Sequence, residues 1–259
     1  MSLGSVAVIG LGRVGLPLAL ALAERGLRVH GVDVNQEYLD FLANGRMPFW
    51  EEGGEALLQR HHGNRLTSGT DSAVVAECDY IVLTLGTPVD ENMDPDLRQI
   101  DRALGALAPH LRPGQTLILR STVSPGTTRW VEAKVEDDFG HKVGRDIFLA
   151  FCPERIAEGR ALEELTTIPQ IIGGVDDTST ARAAELFAVL GVDCLLTDDM
   201  SAELAKLFTN MYRYINFAVA NEFMIIAGQH KRDINHIVHL VNHGYKRGGL
   251  ALPGFTAGP

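Results

Sequence analysis

The sequence has few cysteines, no cluster of basic residues and no long apolar run. Its three cysteines, Cys78, Cys152 and Cys194, are odd in number and widely spaced, which predicts reduced thiols in a cytoplasmic protein and no metal site. The 33 acidic residues outnumber the 23 basic ones, for a net charge of −10. Because phosphate binding needs clustered Lys and Arg, we expect no nucleic acid and no anionic membrane as a partner. No stretch reaches the roughly 18 consecutive apolar residues of a membrane span.

The chain does contain enough apolar material for a sizeable core. Its 259 residues are 46% hydrophobic and 22% charged, close to the average of folded soluble proteins. This composition excludes a disordered chain and a disulfide-stabilised miniprotein. The length allows one large domain or two ordinary ones.

Short apolar runs alternate with helical patterns over about the first 150 residues, the size of one ordinary domain. This alternation predicts parallel βαβ units whose strands are buried on both faces of the sheet. Residues 147–151 are expected to form the last strand of that sheet. The predicted strands are 6–9, 27–32, 80–85, 116–119 and 147–151, and the predicted helices are 14–25, 36–43, 54–61, 96–108 and 127–135.

A helix over 178–190 is followed by one long helical pattern, residues 201–229, which contains no proline. Asp198 and Asp199 are its candidate N-caps. The pattern is apolar on more than one face, so it predicts a spine between domains or a subunit interface, and we expect a homodimer built on it. We therefore predict a Rossmann-type doubly wound parallel sheet in residues 1–198 and an all-α central dimerisation domain in residues 199–259.

Residues 10–15, GLGRVG, form a glycine-rich loop that follows an apolar strand and opens a helix. Its first glycine permits a tight turn, its second a close approach to a pyrophosphate, and its third the packing of helix on strand. A second strand ends at Asp33, which would accept hydrogen bonds from ribose hydroxyls and repel a 2′-phosphate, so NAD is favoured over NADP. The alternative is a nucleotide-free protein with a glycine turn. The cofactor-binding residues predicted here are Gly10, Gly12, Arg13, Val14, Gly15 and Asp33.

Two pairs of polar residues are candidates for catalysis. Glu154 and Glu158 follow the strand over 147–151 and could act as acid and base, although an ordinary solvated helix start would look the same. Lys206 and Asn210 lie four residues apart, on one face of the long helix. A helical Lys is commonly a surface residue, whereas Asn inside a helix is unfavourable and so favours a polar site.

Further short motifs follow the glycine-rich loop along the chain. Together with it they are GLGRVGLP (10–17), GTP (86–88), PDL (95–97), STV (121–123), PGTT (125–128), PER (153–155), EG (158–159), AELAKL (202–207), Asn210, NE (221–222) and PGF (253–255). In this order and spacing, the motifs resemble the UDP-glucose/GDP-mannose dehydrogenase family of nucleotide-sugar 6-dehydrogenases. The resemblance implies oxidation of the C6 alcohol of a nucleotide-linked hexose to a carboxylate with two NAD⁺, through a thiohemiacetal and a thioester on a cysteine.

The resemblance also implies a role for each matching residue. Thr122 would position water and cofactor, and Glu154 would act as acid and base in thioester hydrolysis. Lys206 would stabilise an oxyanion, with a hydrogen bond from Asn210 assisting it. The further contacts implied are Thr87 and Glu158 to the nicotinamide half of the cofactor, and Glu154, Arg155, Lys206, Asn210, Arg247, Gly249, Leu250 and Pro253 to the substrate.

Arg155 indicates the sugar. Members of the family that act on UDP-N-acetylhexosamines usually carry Arg at this position, whereas those acting on UDP-glucose or GDP-mannose usually carry an aromatic residue. Arg247, in the segment HGYKR, is also similar to the former group. The resemblance therefore favours a UDP-N-acetylmannosamine or UDP-N-acetylglucosamine dehydrogenase that makes a uronate for cell-surface polysaccharide. UDP-glucose, dTDP-glucose and GDP-mannose remain alternatives.

One departure from the family concerns the nucleophile. The family cysteine lies just after the PGF loop, and this sequence stops at Pro259, so we expect a longer protein with a C-terminal nucleotide-sugar domain. The 259 residues alone should bind NAD without completing the reaction. Two other classes remain open: a two-electron hydroxyacid-type dehydrogenase, against which the PER and PGF segments argue, and a non-catalytic NAD-binding module, against which Glu154, Lys206 and Asn210 argue.

Overall fold

The computed structural model describes residues 4–88, 91, 96–245 and 248–253. The chain divides into two units, Met1–Leu204 and Ala205–Pro259. A sheet with helices on both faces makes up the first unit, and helices make up the described part of the second. In the described residues, no helix is both long and apolar enough to cross a membrane.

The sheet of the first unit has eight strands in the order β3-β2-β1-β4-β5-β6-β7-β8. Strands β1 to β6 are mutually parallel, in the order that is typical of doubly wound dinucleotide-binding folds. Ligands of such folds bind beyond the carboxyl ends of the strands. The strands are β1 Ser5–Ile9, β2 Arg28–Val32, β3 Leu66–Gly69, β4 Tyr80–Leu83, β5 Gln115–Leu119, β6 Ile147–Phe151, β7 Gln170–Gly174 and β8 Cys194–Asp198.

Helices connect the parallel strands and cover both faces of the sheet. Several begin at a side-chain cap: Asn35 accepts from the Tyr38 amide, and Asp176 accepts from the Ser179 amide. The helices are α1 Gly15–Glu24, α2 Gln36–Ala43, α3 Gly54–His61, α4 Arg98–Leu107, α5 Thr127–Asp137, α6 Ala161–Glu164, α7 Asp177–Ala188, α8 Asp199–Gln229 and α9 Ile234–Asn242.

The apolar core lies on the two faces of this sheet, because successive strand residues point to opposite sides. Val6 and Val8 of β1 pack into one cluster with α1, α2, α3 and α7. Ala7 and Ile9 pack into the other cluster with α4 and α5. The predicted Rossmann-type fold followed by a helical region is confirmed.

The prediction that residues 147–151 form the last strand is wrong. β7 pairs antiparallel with β6, and β8 then pairs parallel with β7. Glycines make this extension fit: a Cβ on Gly173 would lie 2.5 Å from the Ala202 Cβ, and one on Gly174 would lie 2.3 Å from the Thr180 amide nitrogen. β3 also went unpredicted, because its four residues, LTSG, carry little apolar signal.

The long helix is present as α8, and Asp198 is its cap. The Asp198 carboxylate accepts from the Ser201 amide at 2.8 Å and from the Ser201 hydroxyl at 2.6 Å. Asp199, the other candidate, is the first helical residue; its buried carboxylate forms an ion pair at 2.8 Å with Arg129, whose side chain is 48% exposed. The first unit ends at Leu204, inside α8, so one continuous helix belongs to both units.

Candidate functional site

The glycine-rich loop lies between β1 and α1 and has the backbone geometry its sequence predicts. Gly10 has a φ of +97°, and a Cβ there would lie 2.8 Å from the Thr84 carbonyl oxygen. A Cβ on Gly15 would lie 1.9 Å from the Gly10 carbonyl oxygen, so only glycine lets α1 approach β1 this closely. By contrast, a Cβ on Gly12 would meet nothing within 4 Å. The space beside Gly12 is thus open to a ligand.

Asp33 lies at the end of β2 and faces this loop. Its carboxylate accepts from the Leu11 amide at 2.6 Å and from the Asn35 amide at 2.8 Å. A carboxylate offers about four lone pairs, so it can still accept hydrogen bonds from ribose hydroxyls.

These residues fit an NAD molecule. The α1 N-terminus provides amide donors and a positive dipole end for a pyrophosphate, and no acidic side chain lies in its first turn. Gly12 leaves room for that pyrophosphate, and Asp33 supplies the acceptor for the ribose. The carboxylate would also repel a 2′-phosphate, which favours NAD over NADP.

The loops after β4 and β5 are joined by hydrogen bonds and bring two predicted site residues together. The Thr87 hydroxyl donates to the Thr122 carbonyl oxygen. The neighbouring Ser121 hydroxyl donates to the Leu85 carbonyl oxygen. Both threonines are half-buried at the carboxyl edge of the sheet, where a doubly wound fold binds its ligand.

The segment after β6 returns to the glycine-rich loop. Arg13 of that loop forms an ion pair with Glu158 at 3.2 Å, and its guanidinium lies over the Phe49 ring at 5.4 Å. Gly159 packs so closely on Trp50 that a Cβ would lie 2.3 Å from the indole ring. The structure therefore joins Arg13, predicted to bind the cofactor, to Glu158, predicted at the nicotinamide half.

Glu154 and Arg155 lie on the same segment, between β6 and α6, and both are half-buried. The Glu154 carboxylate accepts from the Ile156 amide, and the Arg155 guanidinium donates to the Pro169 carbonyl oxygen. These local bonds limit the positions that both side chains can adopt.

Lys206 and Asn210 belong to the second unit, on α8. Because they are four residues apart in a continuous helix, they share one face of it. Lys206 is only 6% exposed, which excludes the interpretation of an ordinary surface lysine.

The predicted substrate loop is held by a residue that the sequence did not point to. The Asn242 side chain at the end of α9 accepts from the Leu250 amide at 2.7 Å and donates to the Leu250 carbonyl oxygen at 2.9 Å. Gly249 is exposed and Pro253 is half-buried. Arg247 lies outside the described residues.

Two of the three cysteines are unsuited to act as nucleophiles. Cys78 and Cys152 are fully buried, and burial raises the pKa of each thiol to about 12. Cys194 is half-buried, and burial raises its pKa as well. Because the thiolate is the nucleophile, the two fully buried thiols, Cys78 and Cys152, stay inert near neutral pH.

No function was assigned from the sequence to three further residues of the first unit that are polar and buried in the structure. Arg120 follows β5, Gln170 begins β7, and Glu203 lies near the start of α8. A charged residue at the end of an apolar run was the available signal for Arg120. Glu203 stood in a family segment without any assigned function.

A doubly wound α/β unit with a cradle that fits NAD, followed by a helical unit, defines a dinucleotide-binding class of protein. The chain belongs to the UDP-glucose/GDP-mannose dehydrogenase family: residues 4–191 match its NAD binding domain and residues 200–258 match its central domain. NAD is therefore the cofactor for which the first unit is built.

Individual relatives agree with this assignment. UDP-N-acetyl-D-mannosamine dehydrogenase of Escherichia coli K12 is 32% identical over 98% of this chain, which spans 62% of that relative. The structure of UDP-D-ManNAc dehydrogenase from Pyrococcus horikoshii matches 96% of this chain and 60% of its own with a TM-score of 0.91 and 30% identity. GDP-mannose dehydrogenase from Pseudomonas aeruginosa matches 92% of this chain and 56% of its own with a TM-score of 0.86 and 30% identity.

Proposed function

We propose that the complete protein oxidises the C6 alcohol of a nucleotide-linked hexose to a uronate, using NAD and a thioester on a cysteine. The observation that carries this proposal is the similarity of nearly the whole chain to UDP-N-acetyl-D-mannosamine dehydrogenase. The cofactor cradle and the PER segment, both in the first unit, support it. In this proposal none of Cys78, Cys152 and Cys194 is that nucleophile.

In this proposal the predicted site residues keep the roles that the family resemblance implies. NAD, when bound, would supply a hydride acceptor, and Gly12 and Asp33 would hold it beside the glycine-rich loop. Thr122 positions water and the cofactor, and Glu154 moves a proton to and from the water that cleaves the thioester. Lys206 and Asn210 stabilise negative charge on the reacting oxygen. Thr87 and Glu158 contact the cofactor.

The proposed substrate is a UDP-N-acetylhexosamine, and its uronate product would be used for cell-surface polysaccharide. Arg155 supports this choice, because its half-buried guanidinium is anchored at the carboxyl edge of the sheet by the Pro169 carbonyl. Gly249, Leu250 and Pro253 would hold the sugar nucleotide together with Arg247. Similarity to GDP-mannose dehydrogenase at 30% identity keeps UDP-glucose, dTDP-glucose and GDP-mannose as alternatives.

We further propose a homodimer built on α8, in the cytoplasm. An apolar stripe on one side of this helix is exposed in the single chain. A hollow of about 290 Å³ next to it is lined mostly by apolar side chains, among them Phe223, Ile226 and Leu250. All three cysteines are free thiols, as expected in a reducing compartment. The members of the apolar stripe are Phe208, Met211, Tyr212, Ile215, Val219, Phe223 and Ile226.

The yield of NADH per limiting nucleotide sugar tests the proposed activity. The protein from the complete reading frame would be assayed with UDP-N-acetylmannosamine, UDP-N-acetylglucosamine, UDP-glucose, dTDP-glucose and GDP-mannose. We expect two equivalents of NADH from one of the UDP-N-acetylhexosamines. Two equivalents from another sugar would retain the four-electron chemistry and correct the substrate.

Other yields select the alternatives. One equivalent of NADH per sugar would indicate a two-electron dehydrogenase. No NADH from any sugar, together with measurable NAD binding, would indicate a non-catalytic NAD-binding module.

A further inference from the structure

Arg120 is a buried cation that the proposed chemistry does not use. It directly follows β5, is 1% exposed, and lies with its guanidinium carbon 4.9 Å from the centre of the Phe187 ring. In the described part of the chain it joins no ion pair, and its buried Nε has no hydrogen-bond partner. A buried charge without a directly paired carboxylate is costly, so core packing alone does not account for an arginine here.

The hydrogen bonds of Arg120 converge on the segment that carries Glu154. Its Nη1 donates to the Cys152 carbonyl oxygen at 3.2 Å. Its own carbonyl oxygen accepts from the Glu154 amide at 3.3 Å. One residue thus holds the backbone on both sides of Pro153.

A second contact fixes the guanidinium itself. Both terminal nitrogens of Arg120 donate to the Gln170 Oε1 at 3.2 Å. The Gln170 Nε2 in turn donates to the Ile168 carbonyl oxygen at 3.0 Å, which orients the amide. Because Arg155 is bound to the carbonyl of Pro169, residues 152–155 are held between Arg120 and residues 168–170.

The charge of Arg120 also acts on the same segment. Burial lowers the pKa of this guanidinium, and the nearby carboxylate of Glu154 opposes that change. Geometry and charge therefore both link Arg120 to Glu154.

We propose that Arg120 is a positioning residue that fixes residues 152–155, so that the Glu154 carboxylate is presented in one place for thioester hydrolysis. This inference rests on the proposed function. Arg120 is enclosed in the protein and acts through Glu154 without contacting the substrate. A displacement of about 1 Å in a catalytic group can cost about a hundredfold in rate, so loss of the anchor should be visible in kcat.

The test compares Arg120→Met with Gln115→Met in the complete protein. Gln115 is a matched control because it is also fully buried and also bonds backbone carbonyls, Val75 at 2.6 Å and Cys78 at 2.8 Å, but at the opposite end of β5. We expect Arg120→Met to lower kcat at least about tenfold with KM values within about threefold, and enzyme-bound thioester to accumulate. Gln115→Met should retain kcat.

A double-mutant cycle separates positioning from general destabilisation. In a Glu154→Gln background, Arg120→Met should cause little further loss of kcat, because residues that act as a unit are non-additive. Fully additive losses, or an unchanged kcat in Arg120→Met, would overturn the inference. An equal loss in Gln115→Met would overturn it too.

Labelling of Cys152 provides a readout that does not depend on activity. Its buried thiol should react slowly with a maleimide in the wild type and faster in Arg120→Met, as measured by peptide-resolved mass spectrometry. If Arg120→Met does not fold, Gln170→Leu removes the second contact and should have the same effects to a smaller degree. Unchanged labelling in both variants would contradict the inference. Failure of the proposed function would instead appear in the wild type, as a yield other than two NADH.

Discussion

At the scale of single residues, Asp33 carries the clearest prediction. Asp33→Ala should weaken NAD binding at least tenfold, or about 1.4 kcal/mol, since it removes the acceptor for the ribose. The same change removes the acceptor of the Leu11 amide, so the glycine-rich loop loses a support as well. Isothermal titration calorimetry of the purified protein with NAD measures the change in affinity.

Two variants separate these contributions to NAD binding. Asp33→Asn keeps an acceptor without the charge, so it should bind NAD with an intermediate affinity and discriminate less against NADP. Glu37→Ala removes an exposed carboxylate in the first turn of α2 and should bind NAD as the wild type does. An Asp33→Ala variant with unchanged NAD affinity would remove Asp33 from the site.

Single residues also mark the limit of prediction from sequence. The tight turn at Gly10, the close packing at Gly15 and the position of Asp33 beside the loop were predictable from local spacing, and their contact with NAD stays a prediction. The contacts of Arg120 were not predictable, because its partners Cys152 and Gln170 are 32 and 50 residues away in the chain. Only the pairing of β6 with β5 and β7 brings those groups together.

At the scale of elements, the start of α5 depends on a carboxylate from α8. Gly126 is the N-cap of α5 and has no side chain to accept from the first-turn amides. The Glu203 carboxylate takes that place, accepting from the Gly126 amide at 2.6 Å, the Thr128 amide at 2.8 Å and the Thr128 hydroxyl at 2.6 Å. Glu203 is 77 residues from Gly126, so no local sequence rule predicts the contact.

Glu203→Ala should therefore destabilise the protein by about 3 kcal/mol, because it leaves buried donors without a partner. The free energy of unfolding from urea denaturation measures this. Glu203→Gln keeps one acceptor and should lose less. Glu55→Ala removes an exposed carboxylate from the first turn of α3 and should change stability by under about 0.5 kcal/mol. Equal stabilities of Glu203→Ala and the wild type would refute the assigned cap.

Helices and strands were predictable where a segment has a clear hydrophobic periodicity or its own capping residue. α2 and α3 have the predicted bounds, and α8 begins at the Asp198 cap. β3 and the pairing of β7 and β8 were missed, because a four-residue polar strand and a glycine-rich one owe their structure to their neighbours. Tertiary context decides such segments.

At the scale of the whole molecule, α8 presents two different faces. Glu203, Lys206 and Asn210 lie within one sector of the helix, at 100° per residue. The apolar stripe that runs from Phe208 to Ile226 lies about 180° away from them. This division matches the proposal that one side of α8 serves the site and the other serves a partner subunit.

The dimer proposal can be tested by introducing a single charged residue into the apolar stripe. Ile215 lies near the middle of the stripe and is 56% exposed in the single chain, so a dimer through α8 would bury it. Ile215→Asp should convert the proposed dimer into a monomer, because an unpaired carboxylate at the centre of an apolar interface is strongly unfavourable. Light scattering coupled to gel filtration measures the molar mass.

The control is Arg213→Asp, an exposed position on the same helix about 140° from the centre of the stripe. It introduces the same side chain into the same helix, so a general loss of helix stability would affect both variants alike. If a partner subunit packs on the stripe, the two variants should differ in oligomeric state: Arg213→Asp should be a dimer and Ile215→Asp a monomer. A wild type that is already monomeric at micromolar concentration would instead contradict the dimer itself, and the exposed stripe would then need another cover.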